Sequence, residues 1–424
     1  QISSVPPEIG ELKSLQELYL SSTQISNLPP QIKELKMLQK LDLSYNRIRS
    51  LPPQIGELKS LQTLHLFGSL LTSLPPEIGG LKNLQSLNLS SNNLTNLPPE
   101  IGELKNLQSL DLYDDQLTSL PPEIGELKNL QSLGVGRNQL FSLPVQIGGL
   151  KNLQSLDLHA NQLTRLPAEI GELKNLQSLD LSSNQLTSLP PQIGELKNLK
   201  SLSLSNNLLT GLPLQIGELE NLKTLSLLHN NLLTTLPSQI GRLKNLKRLD
   251  LSGSPVGFDE IQAFRALNSS CSITSTNPKY VFQQNEICRI YWEKQAADQE
   301  LQLQAAPANT NIKKDLSYTY NNLAWYQLLT GQFVLAEGTL QRGLQLDSTD
   351  FRLLVRIAPA LLLQGKIEAA LQEYRKGKDA PFVKQHQTFF KDAFLKDLRQ
   401  FEEVGIIPEE RKADVAAVRK LLEE

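Results

Sequence analysis

The chain has 424 residues, which leaves room for two or three domains, and its 42 basic and 44 acidic residues give a net charge of −2. A charge this close to zero gives no sign of the basic excess that is typical of proteins that bind nucleic acids or anionic membranes, so neither is predicted as a partner. No stretch approaches the roughly 18 consecutive apolar residues of a membrane span.

A 23-residue repeat fills the first two thirds of the chain, to about residue 276. Leucine or isoleucine recurs at its positions 1, 4, 6 and 11, and these side chains are predicted to point inward and stack on those of neighbouring copies. Each buried aliphatic side chain stabilises such a stack by about 1.5 to 3 kcal/mol. We number the copies as coils 1 to 11, and they begin at Leu15, Leu38, Leu61, Leu84, Leu107, Leu130, Leu153, Leu176, Leu199, Leu222 and Leu246.

Three further positions of the repeat predict backbone features. Proline at position 15 argues against a helix-rich convex side, and glycine at position 19 predicts a tight turn with positive φ. Asp115 stands at position 9, where an inward asparagine is expected to satisfy main-chain groups, and a carboxylate can only accept hydrogen bonds there. Seven copies carry that asparagine, namely Asn46, Asn92, Asn138, Asn161, Asn184, Asn207 and Asn230.

The pattern LxxLxLxxNxL, within the consensus LPPEIGELKNLQSLDLSSNQLTS, resembles the short leucine-rich repeats of plant intracellular Ras-group-related proteins, Roco GTPases and many bacterial proteins. The resemblance implies a solenoid with parallel strands on the concave face and few helices on the convex face. It also implies binding of other proteins, often through the concave sheet. Many extracellular repeats of this kind carry paired-cysteine caps. This chain has only Cys271 and Cys288, so we predict a reducing, cytoplasmic location.

Positions 3, 5, 7 and 8 alternate with the inward leucines and are therefore predicted to face the concave surface. Their background is serine and aspartate, so aromatic, histidine and arginine side chains there depart from what the fold requires. Tyrosine, phenylalanine and arginine are enriched in protein interfaces. The alternative is that these are scattered exposed side chains. The predicted partner-binding residues are Tyr19, Tyr45, His65, Phe67, Tyr113, Arg137 and His159.

The charges at the concave positions favour a protein partner of basic or mixed charge, because seven are acidic and three are basic. Asp157 and Asp180 occupy position 5 of adjacent coils, about 4.8 Å apart, and are interpreted as two solvated carboxylates, although a cation could use them. His65 and His159 lie four coils apart, on the order of 19 Å, and cannot share a zinc ion. No metal site and no cofactor are predicted.

The repeat ends after Leu251, but the chain continues with an organised pattern. Ile261 and Phe264 keep a helical spacing, which predicts a closing helix and a last short strand over about 254–276. A connecting helix and linker are predicted over 277–310.

A second repeat, with a period of 34 residues, follows that linker and pairs Gly331 with Gly365. This period and its small residues resemble tetratricopeptide repeats, which implies two such units over 311–380, covered by capping helices over 381–424. The whole chain is therefore predicted to be an α+β multidomain protein, in which a leucine-rich repeat solenoid precedes an all-α, tetratricopeptide-like domain.

No motif for catalysis is present, since the sequence lacks a P-loop, HExxH, GxSxG and zinc-spaced cysteine pairs. The nearest enzymatic alternative is a bacterial effector ubiquitin ligase. Cys288 would be its nucleophile, but the CxD arrangement of that family is missing. We therefore predict a non-enzymatic interaction module or scaffold. The second hypothesis is a regulatory or sensor region of a larger signalling protein or effector, because QISSVPPEIG matches positions 10 to 19 and starts inside a coil.

Overall fold

The structure is a computed structural model, and it describes residues 4–276, 278–348, 350–379, 387–403 and 405–423. The chain forms two compact units, Gln1–Ser275 and Thr276–Glu424. The predicted boundary between residues 380 and 381 lies outside the described residues.

The first unit is built around one parallel sheet, which has twelve short strands over the described residues. The strands follow one another in the sheet in chain order, so neighbours in sequence are neighbours in space. Each coil contributes one strand, which begins at position 3 of the repeat. The strands are β1 (Glu17–Tyr19), β2 (Lys40–Asp42), β3 (Thr63–His65), β4 (Ser86–Asn88), β5 (Ser109–Asp111), β6 (Ser132–Gly134), β7 (Ser155–Asp157), β8 (Ser178–Asp180), β9 (Ser201–Ser203), β10 (Thr224–Ser226), β11 (Arg248–Leu251) and β12 (Ser272–Ser275).

The return segments of coils 1 to 10, and the partial coil that precedes coil 1, each contain a five-residue 3₁₀ turn in place of an α-helix. A proline in extended conformation precedes each turn, because its fixed φ suits entry into a helical turn. The predicted solenoid with few helices on its convex face is confirmed. The turns span Pro7–Glu11, Pro30–Glu34, Pro53–Glu57, Pro76–Gly80, Pro99–Glu103, Pro122–Glu126, Val145–Gly149, Ala168–Glu172, Pro191–Glu195, Leu214–Glu218 and Ser238–Arg242.

Glycine at position 19 has a different role from the predicted one. A Cβ atom built on Gly56 would lie 2.1 Å from the main-chain oxygen of Glu77 in the next coil, so consecutive turns approach too closely for a side chain. The expectation of a positive φ was wrong, because within the described residues the glycines with positive φ are Gly68, Gly253, Gly331, Gly365 and Gly405.

The core of the solenoid is the predicted stack of aliphatic side chains. From coil 2 to coil 11, those at positions 1, 4 and 6 are at most 2% exposed. At the far end, α1 (Phe258–Leu267) and β12 close the stack, and Ile261 and Phe264 of α1 are buried. The coils therefore stabilise one another by burial between nearest neighbours.

The asparagines of position 9 form the expected ladder beside the sheet. Asn46 donates from Nδ2 to the main-chain oxygens of Leu20 (2.7 Å) and Leu43 (2.9 Å), and its Oδ1 accepts from the N–H of Ile25 (2.9 Å). One amide thereby satisfies main-chain groups of two consecutive coils. The same pattern recurs at Asn184.

The second unit, Thr276–Glu424, is helical. Successive helices pack as neighbours from α2 to α6, and α7 packs on α5 and α6. A 3₁₀ turn, Glu409–Arg411, precedes the last helix. The helices are α2 (Pro278–Ala305), α3 (Thr310–Leu329), α4 (Phe333–Leu346), α5 (Phe351–Leu363), α6 (Ile367–Asp379), α7 (Gln387–Glu403) and α8 (Lys412–Glu423).

Two helix pairs of this unit repeat the same construction 34 residues apart. Gly331 ends α3 with a φ of +74°, and Gly365 ends α5 with a φ of +79°, a left-handed conformation that favours glycine at the end of a helix. Phe394 and Phe401 of α7 are buried in the core that α3 to α6 form, so a later helix covers the face that two pairs leave open.

Candidate functional site

The concave surface is a row of short strands whose side chains meet in register. Position 5 of each strand lies opposite position 5 of the next, as His65 lies opposite Asp42 and Asn88. Position 8 is the left-handed residue at which the chain turns away after the strand, and Tyr45 (φ 54°) and Arg137 (φ 52°) occupy it. Tyr45 and Arg137 therefore stand at the edge of the sheet, beyond the ends of their strands.

The polar side chains on the strand of coil 1 are hydrogen-bonded to one another and to the next strand. The hydroxyl of Tyr19 donates to Glu17 (2.8 Å), and Lys40 of the next strand pairs with the same carboxylate at 2.8 Å. The hydrogen bond from Lys40 is the main cause that lowers the pKa of Glu17. Tyr19 itself is 59% exposed.

Tyr45 and Phe67 form an aromatic pair on coils 2 and 3. Their ring centroids lie 4.8 Å apart and the rings are nearly perpendicular, the edge-to-face arrangement that aromatic rings prefer. Gly68 makes room for the pair, because a Cβ atom there would lie 3.1 Å from the ring of Tyr45. Tyr45 is 59% exposed, so the pair is an apolar feature of the surface.

Tyr113, Arg137 and His159 form a second group, which we call the Tyr113 cluster. The rings of Tyr113 and His159 lie 5.5 Å apart although they belong to coils 5 and 7, and the guanidinium of Arg137 lies 5.8 Å from the centre of the Tyr113 ring. The intervening coil carries Gly136 at position 7, where a Cβ atom would lie 2.5 Å from Nδ1 of His159. The missing side chain thus lets the two rings meet.

The same region brings carboxylates together. Asp157 Oδ1 accepts from the N–H of His159 (3.0 Å) and lies 2.7 Å from its Nδ1. Asp180 lies opposite Asp157 in register, and ligand atoms of Asp157, His159 and Asp180 are all within 4.8 Å of one another. Burial raises the pKa of Asp111, and the charge of Asp157 adds to that effect.

The structure thus groups five of the seven predicted residues into the Tyr45–Phe67 pair and the Tyr113 cluster. Tyr19 and His65 lie on their own strands beside these groups. Sequence reasoning missed Gly134 and Gly136, at positions 5 and 7 of coil 6. A Cβ atom on Gly134 would lie 3.0 Å from Asp111 Oδ1. Both glycines depart from the internal consensus of the repeat, so a missing side chain is as visible in the sequence as an added one.

The helical unit contains a largely buried charge pair. Arg356 lies 4.4 Å from the centre of the Trp325 ring, and its Nε is 3.9 Å from Asp397 Oδ2. Burial raises the pKa of Asp397 to about 6, in spite of that arginine. Cys288 is partly buried on α2. None of the described helices combines the length and the apolar character needed to cross a bilayer.

Family models match the repeat region. One, described as a leucine-rich repeat region, matches residues 76–162, and another, described as leucine rich repeat, matches 13–71, 151–209 and 174–232. No curated protein matched the sequence.

Solved structures are similar to the solenoid part of the chain. A leucine-rich repeat protein of Leptospira interrogans is 42% identical over 64% of this chain and 81% of that chain, with a TM-score of 0.46. A chain of the Toll–Spatzle complex of Drosophila is 27% identical over 65% of this chain and 40% of that chain, with a TM-score of 0.58. A chain of the octameric complex of Latrophilin 3, Unc5D and FLRT2 is 23% identical over 65% and 87%, with a TM-score of 0.54.

The family models cover residues 13–71 and 76–232, about half of the chain, and these residues lie within the stacked coils. Each matched coil contributes one parallel strand, one 3₁₀ turn and one set of inward leucines. The chain therefore belongs to the leucine-rich repeat proteins.

Proposed function

We propose that this chain is a non-enzymatic interaction module or scaffold that binds a protein partner on the concave sheet of coils 1 to 7. The observation that carries the proposal is the pairing of rings, with Tyr45 exposed and the others half-buried, on a surface made mainly of serine, aspartate and other small polar residues. Interfaces concentrate their binding energy in a few aromatic and arginine side chains, surrounded by polar contacts that exclude water. The Tyr45–Phe67 pair and the Tyr113 cluster supply such residues.

The charges of the same surface favour a partner of basic or mixed character. Of the two basic residues at the concave positions of coils 1 to 7, Lys40 is engaged by Glu17 and Arg137 lies over a tyrosine ring. Most acidic side chains of the surface are not paired with a basic side chain at the concave positions. A protein with positive charge would therefore associate faster with this surface.

The similar solved proteins support a protein as the ligand. Toll was solved in complex with Spatzle, and FLRT2 in a complex with Unc5D and Latrophilin 3. Leucine-rich repeat proteins are commonly interaction modules, and a solenoid provides the extended concave surface that such binding uses. The alternative of a regulatory or sensor region in a larger protein stays a prediction.

The test is a pull-down with the intact chain and with a double variant, Phe67→Ser and Tyr113→Ser, read by mass spectrometry. Serine is common at these positions in sister coils, so folding should persist. We expect proteins captured by the wild type to be lost, with a weakening of about 2 kcal/mol or more, roughly thirtyfold in Kd, for a purified partner.

A matched control is Phe141→Ser, which removes a ring that is 58% exposed but lies at position 12, outside the concave positions. The control should retain the partners. If the double variant captures the same proteins with unchanged affinity, the concave face of coils 1 to 7 is not the binding surface.

A further inference from the structure

We propose that Asp157, His159 and Asp180 form a binding site for a divalent transition-metal ion of the zinc type on the concave sheet. The side chains belong to adjacent strands: Asp157 ends β7, His159 follows two residues later, and Asp180 ends β8 opposite Asp157. Their ligand atoms lie within 4.8 Å of one another, so small side-chain rotations bring them to a common ion. The proposal goes beyond partner binding and does not depend on it.

A pair of carboxylates would not by itself mark a site, because aspartate recurs at position 5 of the repeat. The imidazole of His159 distinguishes this pair, since position 7 is usually serine or another small residue. The imidazole also needs Gly136 in the preceding coil, where a Cβ atom would lie 2.5 Å from Nδ1. Two departures from the repeat therefore act together: His159 adds a ligand, and Gly136 leaves room for its imidazole.

The ligands are held in place by their surroundings. The N–H and hydroxyl of Ser182 donate to Asp180 Oδ1 at 2.9 and 2.6 Å. The ring of Tyr113 lies against the imidazole at 5.5 Å. Outer contacts of this kind orient metal ligands and raise affinity. The side chains of Asp157 and His159 are 40% and 27% exposed, so an ion can reach them from solvent.

The donor set selects the class of ion. One imidazole nitrogen and two carboxylates suit zinc and its neighbours, whereas calcium and magnesium prefer six or more oxygen ligands. Three protein ligands also leave at least one coordination position open toward solvent, as in zinc sites that are not purely structural. Two carboxylates alone would be expected to stay solvated, and the imidazole of His159 is the third ligand that makes the set suitable for zinc.

The test is calorimetric titration of chelator-treated protein with Zn²⁺, with Ca²⁺ as a second arm. We expect one Zn²⁺ per chain in the wild type and at least tenfold weaker binding in His159→Ser and Asp180→Ser. Gly136→Ser should also weaken binding, because its Cβ displaces the imidazole. All three place serine where sister coils carry serine, and far-UV circular dichroism verifies that they fold.

Two controls make the result specific. His65→Ser removes a concave histidine four coils away and should leave Zn²⁺ binding unchanged, and the absorption spectrum of Co²⁺-loaded protein should show nitrogen and oxygen ligation without the thiolate band that Cys271 or Cys288 would produce. Absence of stoichiometric Zn²⁺ binding, wild-type affinity in His159→Ser, or equal affinity for Ca²⁺ would each overturn the proposal. None of these results bears on capture of a protein partner.

Discussion

At the scale of single residues, Asp115 shows what the asparagine ladder requires. The N–H of Leu94 donates to Asp115 Oδ1 at 3.0 Å, as in other coils, but Oδ2 is buried without a hydrogen-bond partner. By analogy with Asn46, an amide here would donate to the main-chain oxygens of Leu89 and Leu112. Burial raises the pKa of Asp115 to about 7, because the charged form has lost its water.

We predict that Asp115→Asn stabilises the protein by about 1 to 3 kcal/mol at pH 8, the usual cost of an unsatisfied buried polar group. A folded-state pKa above the unfolded value of 3.8 means that wild-type stability falls as pH rises from about 4 to about 7. The gain in the variant should therefore grow over that window. Urea unfolding at pH 4.5 and pH 8 measures it.

The reciprocal change, Asn184→Asp, is the control. It places the same carboxylate in another coil of the ladder and should lower stability by a similar amount, with the same sign of pH dependence. A gain in Asp115→Asn that is equal at both pH values would show that the buried charge is not its cause.

At the scale of elements, the spacing between coils depends on glycine in the 3₁₀ turns. A Cβ atom on Gly56, or on most of its equivalents, would clash with the main chain of the next turn, which cannot move aside without shifting the strand stack. Sequence alone suggested a turn that needs positive φ, because glycine serves both purposes and a single coil does not distinguish them. The distance to the neighbouring coil shows which of the two purposes the glycine serves.

We predict that Gly56→Ala destabilises the solenoid by about 1 to 3 kcal/mol, the range for overpacking a close contact. Gly211→Ala is the matched control, since it has no atom within 4 Å of a built Cβ and no positive φ. It should be neutral or stabilising by up to about 1 kcal/mol. Thermal unfolding of both variants measures the two changes in stability. An equal loss of stability in both variants would show that close approach between coils is not the reason for glycine at position 56.

At the scale of the whole molecule, the solenoid should behave as a chain of interchangeable coils. Each coil contacts its two neighbours through the same positions, so its removal joins two compatible surfaces. In the absence of residues 199–221, for example, Leu225 would stack on Leu179 in place of Leu202. Both Asp180 and the Tyr113 cluster would be left intact.

We predict that deletion of residues 199–221 leaves a folded solenoid with lower stability and a smaller urea m-value, because less surface is buried. Deletion of residues 199–209 should prevent cooperative folding, since it breaks the 23-residue register of the leucines. Hydrogen exchange of peptides from residues 1–275, measured along a urea titration, compares the two. Similar behaviour of both deletions would contradict the model of stacked, register-dependent coils.

Periodicity alone determined the stacked coils, the inward leucines, the asparagine ladder and its weak point at Asp115. These features repeat every 23 residues, and each depends on contacts with identical neighbours, so one copy predicts the others. The same comparison among copies marked Tyr113, Arg137 and His159 as departures without indicating that they meet.

Which of these departures act together is visible only in the folded chain, because the partners lie one or two coils apart and meet through the sheet. Gly136 lets rings of coils 5 and 7 touch across coil 6, and strand register sets Asp180 beside Asp157 and His159. Distance along the chain does not measure distance across parallel strands. Residues 23 or 46 positions apart are neighbours on the concave sheet, and a side chain absent from one coil creates the contact between its neighbours.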